Sequence, residues 1–319
     1  MRFFALLLSL FFVLIPVPAA AHGDEAVRFA TLPKPGPGFP EGIAADAAGR
    51  IYVATFDFTT TNVIYVFEPN GSLAATISLP GVVPLGLEFD SKGDLYVANF
   101  GGGNILKFTP PFNSASAPAE SFQVCSGGCG LNAITFDQRG DLYVSDSFGG
   151  NVFRLNLPRG RVSTFVADEL LKPGSHGFPP FGANGLAFDA DFANLYVANT
   201  ADDRILKVNV KTKAVTTFAE SVNGADGIAF DGQGRLWVAA NQGDELVALN
   251  ANGRVIARRG SFIDIGPDGA PQGLLFPASI VISRGSIYVT NLALALTPAV
   301  GDEPEEDVTT YTVSRVPLD

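Results

Sequence analysis

Gly185-Leu-Ala-Phe-Asp-Ala-Asp-Phe-Ala-Asn-Leu-Tyr-Val-Ala198 reads as two short apolar runs separated by a polar turn, the pattern of strand, hairpin, strand. It recurs along the chain. Gly42-Ile-Ala-Ala-Asp46 is followed by Arg50-Ile-Tyr-Val-Ala54, Gly86-Leu-Glu-Phe-Asp90 by Asp94-Leu-Tyr-Val-Ala98, and Ala133-Ile-Thr-Phe-Asp137 by Asp141-Leu-Tyr-Val-Ser145. Beyond the quoted stretch come Gly227-Ile-Ala-Phe-Asp231 with Arg235-Leu-Trp-Val-Ala239, and Ser279-Ile-Val-Ile-Ser283 with Ser286-Ile-Tyr-Val-Thr290. The aromatic of each unit falls at Tyr52, Tyr96, Tyr143, Tyr196, Trp237 and Tyr288, a spacing of about 40–50 residues that marks a propeller or solenoid. Two further runs follow in each unit, as in Ile205-Leu-Lys-Val-Asn209 and Ala214-Val-Thr-Thr-Phe218, so every unit offers four strands. Six units of four strands predict an all-β, six-bladed β-propeller. Repeated β-branched residues and Gly and Asp at nearly every turn exclude a helical solenoid.

The last unit supplies only three strands before the chain stops: Ser279 to Ser283, Ile287 to Asn291 and Thr310 to Val316. Ala26-Val-Arg-Phe-Ala-Thr31 resembles the fourth strands Arg161-Val-Ser-Thr-Phe-Val166 and Ala214-Val-Thr-Thr-Phe-Ala219, so residues 26–32 are expected to complete the last blade and remove two unpaired edges. Three stretches break the period, 168–182, 260–277 and 292–308, and a propeller places all three around one mouth of its channel. They read as recognition loops or as permissive insertions.

Of 319 residues, 47% are hydrophobic and 17% charged, enough apolar material for a packed core and too much for a disordered chain. The 21 basic residues against 32 acidic ones give a net charge of -11, which repels polyanions, so neither nucleic acid nor an anionic membrane is expected as a partner. Arg2, the uncharged run Phe3 to Val17 and Ala19-Ala-Ala21 read as an export signal, residues 1–21, cleaved after Ala21 and leaving residues 22–319 as one propeller domain. The run is shorter than the roughly 20 residues of a membrane-spanning helix, so no span is expected after cleavage, and the mature chain would be secreted or periplasmic. In an oxidising compartment Cys125 and Cys129, the only cysteines, would close a local disulfide. A zinc site lacks ligands, since His22 and His176 lie far apart in sequence.

The residue just ahead of each repeated inner run points toward the axis from its own blade: Glu41, Leu85, Asn132, Asn184, Asp226 and Ala278. Two carboxylates and two amides facing a common point are oxygen ligands of the kind Ca²⁺ or another hard divalent cation takes. Buried carboxylates without partners are costly, so Glu41 and Asp226 need a cation or hydrogen-bond donors. Asn99, Asp146, Asn199, Asn241 and Asn291 follow the second strands on the same face and serve either as turn residues or as contacts to the substrate or to the ligands. His176, in the 168–182 loop, is placed near the mouth. Asp46, Asp90, Asp137, Asp189 and Asp231 begin hairpins and are expected to cap them.

With these residues in place the chain resembles the gluconolactonase and senescence-marker-protein (regucalcin-like) family of six-bladed propellers, relatives of the paraoxonases and of diisopropyl fluorophosphatase. The resemblance rests on Glu41-Gly42, Asn132, Asn184-Gly-Leu-Ala-Phe188 and Asp226-Gly-Ile-Ala-Phe230. It implies one catalytic Ca²⁺ held by Glu41, Asn132, Asn184 and Asp226, with Asp226 activating water or attacking as nucleophile, and a small-molecule lactone or related ester as substrate. Ile43 stands where the family usually has Pro, and Ala133 where several members place Asp, so a second metal site is not carried over; nor is the paraoxonase-type catalytic His, which has no match. The competing reading is a non-catalytic propeller similar to the NHL type, binding a protein or glycan through its loops.

Overall fold

The computed structural model describes residues 26–33, 38–175 and 179–318. The expected signal segment and its cleavage point, His22 and His176 lie outside these residues. The chain forms six four-stranded antiparallel sheets. Their inner strands are Phe39–Ala45, Pro84–Phe89, Leu131–Phe136, Ala183–Phe188, Ala225–Phe230 and Pro277–Ser283, and these contact one another in cyclic order, the sixth against the first. A closed six-bladed propeller results, with no α-helix and only four single 3₁₀ turns among the described residues, none long and apolar enough to cross a membrane.

The core is divided into layers between blades. Blades 1 and 2, for example, share a cluster in which Tyr52, Ile64 and Ile77 meet Leu87, Leu95 and Phe108. The repeated aromatic organises each layer. Tyr52, Tyr96, Tyr143 and Tyr196 pack edge-on against Phe89, Phe136, Phe188 and Phe230 of the following blade, with centroids 4.8–5.3 Å apart. Their polar ends turn back to the hairpin aspartates: Tyr52 and Tyr143 hydroxyls lie 3.3 Å from Asp46 and Asp137, and the Trp237 indole N–H donates to Asp231 at 2.9 Å. The same aspartates accept backbone N–H groups across their turns, as Asp231 does from Gln233 and Arg235, which is the expected capping role.

Each inner strand carries a β-bulge at the same place, between Pro40 and Ile43, Pro84 and Leu87, Leu131 and Ile134, Ala183 and Leu186, Ala225 and Ile228, and Pro277 and Ile280. The bulge spans the ring residue and the residue after it, and a bulge re-aims a side chain. Here it points the ring residue at the axis. Glycine follows in four blades because inner strands approach so closely there: a Cβ at Gly42 would overlap the Leu85 carbonyl, and one at Gly185 the Asp226 carbonyl.

The last blade is closed by Val27–Thr31, which pairs antiparallel with Thr312–Pro317 beside Ser286–Asn291. Ala30 and Leu32 are buried there, and Phe29 packs edge-on against Tyr288 at 4.8 Å. The 260–277 stretch holds a small ribbon the repeat did not reveal, Phe262–Ile265 against Pro271–Gly273, formed around a Pro267-Asp-Gly269 turn too short to register as a periodic pattern. Deletion of residues 22–33 removes a whole strand with its buried Ala and Leu, and should lower the melting temperature by about 10 °C or more. An unchanged melting curve would show that the ring closes without this strand.

Candidate functional site

Five of the six bulges bring Glu41, Leu85, Asn132, Asn184 and Asp226 to the wall of one cavity at the mouth of the channel. The four polar residues are buried, at 4–6% exposure. Directly behind them Ile43, Leu87, Ile134, Leu186, Ile228 and Ile280, one from each blade, form a buried aliphatic layer lining the far side of the channel. All three long stretches reach the cavity, through Phe181, Phe276 and Leu292, so they do surround one mouth.

Two of the ring amides are fixed by hydroxyls from their own blades. Asn132 donates its Nδ2 to Ser147 Oγ at 3.1 Å, and Ser147 donates on to the carbonyl of Ala183, next to Asn184. Asn184 donates to Thr200 Oγ1 at 2.9 Å, and Thr200 donates to the carbonyl of Ala225, next to Asp226. Each hydroxyl thus fixes one amide and the backbone of the next blade, and leaves the Asn132 and Asn184 side-chain oxygens unengaged by these bonds. Asn241 Nδ2 donates to Asp226 Oδ2 at 3.1 Å. Thr290 Oγ1 donates to the Glu41 carbonyl at 2.8 Å, tying the last blade to the first.

The carboxylates are less well provided for. Of the five buried side-chain polar atoms without a hydrogen-bond partner among the described residues, three are here: Glu41 Oε2, Asp226 Oδ1 and Asn241 Oδ1. Burial, and then the nearby Asp226 charge, push the Glu41 carboxyl well above its ordinary range, against a weaker pull from a Ser279 hydrogen bond. Burial pushes Asp226 up to about 7, with hydrogen bonds from Asn241 and Asn184 opposing the shift. No Lys or Arg lines the cavity among the described residues. Three orphaned oxygens and two unbalanced acids are a donor set that suits a hard divalent cation, which takes carboxylate and amide oxygens. The site holds no group of three His, Cys, Asp or Glu among the described residues, so its donors are two carboxylates and amide oxygens rather than a zinc-type set.

Of the five residues following the second strands, only Asn241 reaches this cavity. The others hold backbone. Asn99 Oδ1, Asp146 Oδ1 and Asn291 Oδ1 accept the N–H groups of Val83, Gly130 and Leu275, each just ahead of an inner strand, while Asn199 donates to the carbonyls of Leu170 and Lys172. Strand register explains the division. Asn99, Asp146, Asn199 and Asn291 sit opposite Pro84, Leu131, Ala183 and Pro277, whereas Ala240 takes that position in blade 5 and Asn241 lies one residue further on. Ser147 and Thr200 occupy the corresponding positions in blades 3 and 4. The sequence signal for them is the count from the repeated aromatic, which is longer by one residue from Trp237 to Asn241 than from the aromatic to Asn99, Asp146, Asn199 or Asn291 in the other units. Cys125 and Cys129 are joined in a disulfide in the loop after Glu120–Gln123, away from the cavity.

Residues 178–260 match the sequence model of the SMP-30/Gluconolactonase/LRE-like region, a stretch that contains Asn184, Thr200, Asp226 and Asn241. A calcium-binding regucalcin from Agrobacterium tumefaciens superposes with a TM-score of 0.65 at 15% identity, covering 91% of this chain and 96% of that one. A gluconolactonase from Xanthomonas campestris gives 0.64 at 15% identity over 89% and 87% of the two chains, and a virginiamycin B lyase from Staphylococcus aureus 0.57 at 12% over 92% and 98%. Identities this low establish the common fold. No curated protein sequence matches the chain significantly. The family resemblance read from the sequence is therefore borne out, locally in sequence and globally in fold.

The acid pair gives the cavity a pH signature. Both carboxyls are raised in the folded chain, so their contribution to stability is fully present below the unfolded-state pKa and is lost as pH rises through the folded values. In the presence of a chelator, Asp226→Asn should therefore gain on the wild type by about 5 °C in melting temperature between pH 5 and pH 8. A difference that does not change with pH would mean that burial does not raise the Asp226 carboxyl.

Proposed function

We propose that this protein is an exported, divalent-cation-dependent hydrolase of lactones or related esters, with Ca²⁺ as the favoured ion. The observation that carries the proposal is the pair of buried, unpartnered carboxyl oxygens, Glu41 Oε2 and Asp226 Oδ1, gathered with Asn132 and Asn184 at the bottom of an open cavity. Charges left unbalanced in a cavity that faces solvent are a feature of functional sites rather than of packing. The match of residues 178–260 to the SMP-30/Gluconolactonase/LRE-like model supports the same chemistry. Export is supported by Arg2, the apolar run and Ala19-Ala-Ala21, together with the Cys125 to Cys129 disulfide, which persists in oxidising compartments.

Glu41, Asn132, Asn184 and Asp226 would hold the cation, which when bound supplies Lewis-acid polarisation of a carbonyl and stabilises developing oxyanion charge. The chain itself does the rest. Ser147 and Thr200 keep the Asn132 and Asn184 amides from rotating, so their oxygens stay presented to the cavity. Asn241 holds Asp226 by Oδ2 and leaves Oδ1 turned to the cavity, where it can accept a proton from the attacking water. The aliphatic layer behind the ring and the Phe and Leu residues at the mouth limit bulk water to the one side from which substrate arrives.

A panel of lactones and aryl esters assayed with added Ca²⁺ and with excess chelator tests this. Turnover should require the ion, and Asp226→Asn should lower kcat by about 10²–10⁴-fold with the fold retained. Full activity in chelator, or in Asp226→Asn, would remove the cation or Asp226 from the mechanism.

A further inference from the structure

The cavity is divided into a polar half and an apolar half, and the division follows the blades. The position four residues after the repeated aromatic holds Ser147, Thr200 and Asn241 in blades 3, 4 and 5, and Leu292, Phe56 and Phe100 in blades 6, 1 and 2; of these Asn241, Leu292, Phe56 and Phe100 line the cavity, while Ser147 and Thr200 stand behind the ring amides. The ring beneath repeats the split, with Asn132, Asn184 and Asp226 in blades 3 to 5 against Ala278 and Leu85 in blades 6 and 2; Glu41 is the polar residue of the other half. The apolar half continues outward. Phe56 meets Phe58 at 5.0 Å, Phe58 meets Phe100 at 6.4 Å, and Phe100 packs against Phe148 and Phe181 at 5.3 and 6.0 Å. Phe58 is 68% exposed and Phe148 44% exposed, so a continuous aromatic wall runs from the ring to solvent.

The polar half offers few donors beyond the second N–H of each of its three amides. The amide groups of Asn132, Asn184 and Asn241 are already donating to Ser147, Thr200 and Asp226, and the Ser147 and Thr200 hydroxyls to backbone carbonyls. A substrate with several hydroxyls would lay those that point away from blades 3 to 5 against Phe and Leu, which offer them no partner, and that is unfavourable. An anionic substrate would meet two acids, whose charge a bound divalent ion would no more than balance, and, among the described residues, no basic side chain. What fits is a neutral molecule with one polar end. Resting on the hydrolase reading above, we infer that the substrate is a lactone or ester bearing an alkyl or aryl chain, its carbonyl turned to blades 3 to 5 and its chain lying along Phe56, Phe100, Phe181, Leu292 and Leu294, and that polyhydroxylated lactones are poor substrates. Hydrolysis adds water across the acyl C–O bond: the water oxygen joins the acyl carbon, one proton passes to Asp226 and is returned to the departing alkoxide, and no other reactant is needed.

The test pairs a kinetic series with a binding series. δ-Valerolactone, δ-octalactone, δ-decalactone and glucono-δ-lactone are compared by kcat/KM, and 6-pentyl-2-piperidone, a lactam that resists hydrolysis, is titrated into the Ca²⁺-loaded protein by calorimetry. The expected result is a rise of roughly three- to fourfold per added methylene until the chain fills the wall, with δ-decalactone at least about 100-fold above glucono-δ-lactone. Phe181→Ser and Leu294→Ser, both half-buried at the mouth, should flatten the chain dependence and weaken lactam binding. Binding of the lactam with no lactone hydrolysed would uphold the apolar site and refute the hydrolase reading. Hydrolysis of glucono-δ-lactone with no chain dependence would uphold the hydrolase and refute the inference, as would failure of the lactam to bind.

Discussion

Six strands meet at one axis, and the space there is too small for their side chains to be placed freely. Each inner strand resolves the crowding with a bulge, and in four blades with a glycine against which the next strand's backbone lies. The bulge leaves one side chain per blade pointing at the axis, and the rest of the site follows from that. The aliphatic layer fills the channel behind those six side chains, and the loops that join blades rise around the opening in front of them. A ring of oxygen donors is therefore the kind of site this architecture produces whenever the six positions hold Asp, Glu or Asn.

What those positions hold here is not neutral. Glu41 and Asp226 are buried near one another; burial raises both carboxyls, and the Asp226 charge raises Glu41 further. A chain selected only for stability would replace one of them or supply a basic partner, since breaking up such a pair relieves desolvation and repulsion together. Instead the surrounding groups, Asn241, Ser147 and Thr200, are arranged so that the orphaned oxygens remain free. Stability is conceded at the axis and recovered in the six layers between blades.

The parts of the molecule that repeat were legible in the sequence. Tyr52 to Tyr288 fixed the blade number, the residue ahead of each inner run identified the ring, and the likeness of Ala26 to Thr31 to the fourth strands of blades 3 and 4 located the closing strand. The choice between turn residue and cavity residue was open in the sequence, because an offset of one residue changes which way a side chain points. Asn99, Asp146, Asn199 and Asn291 looked equivalent to Asn241, yet they bond backbone at the start of their own blades, because a strand sends successive residues to opposite faces. Ser147 and Thr200 went unnoticed for the same reason. Much of the apolar half of the cavity was not legible, since Phe181 and Leu294 come from loops of unequal length that carry no periodic signal.

The central claim is that the buried acids, with the amides beside them, are a divalent-cation site. The most direct measurement is the elemental content of the purified protein after dialysis against metal-free buffer, wild type beside Asn184→Ala/Asp226→Ala, with the fold of both checked by circular dichroism. About one Ca²⁺ per chain in the wild type and none in the variant is the result expected of two carboxylates and two amide oxygens around one ion. A wild type with no divalent ion, whose melting is unmoved when Ca²⁺ is added, would contradict the account.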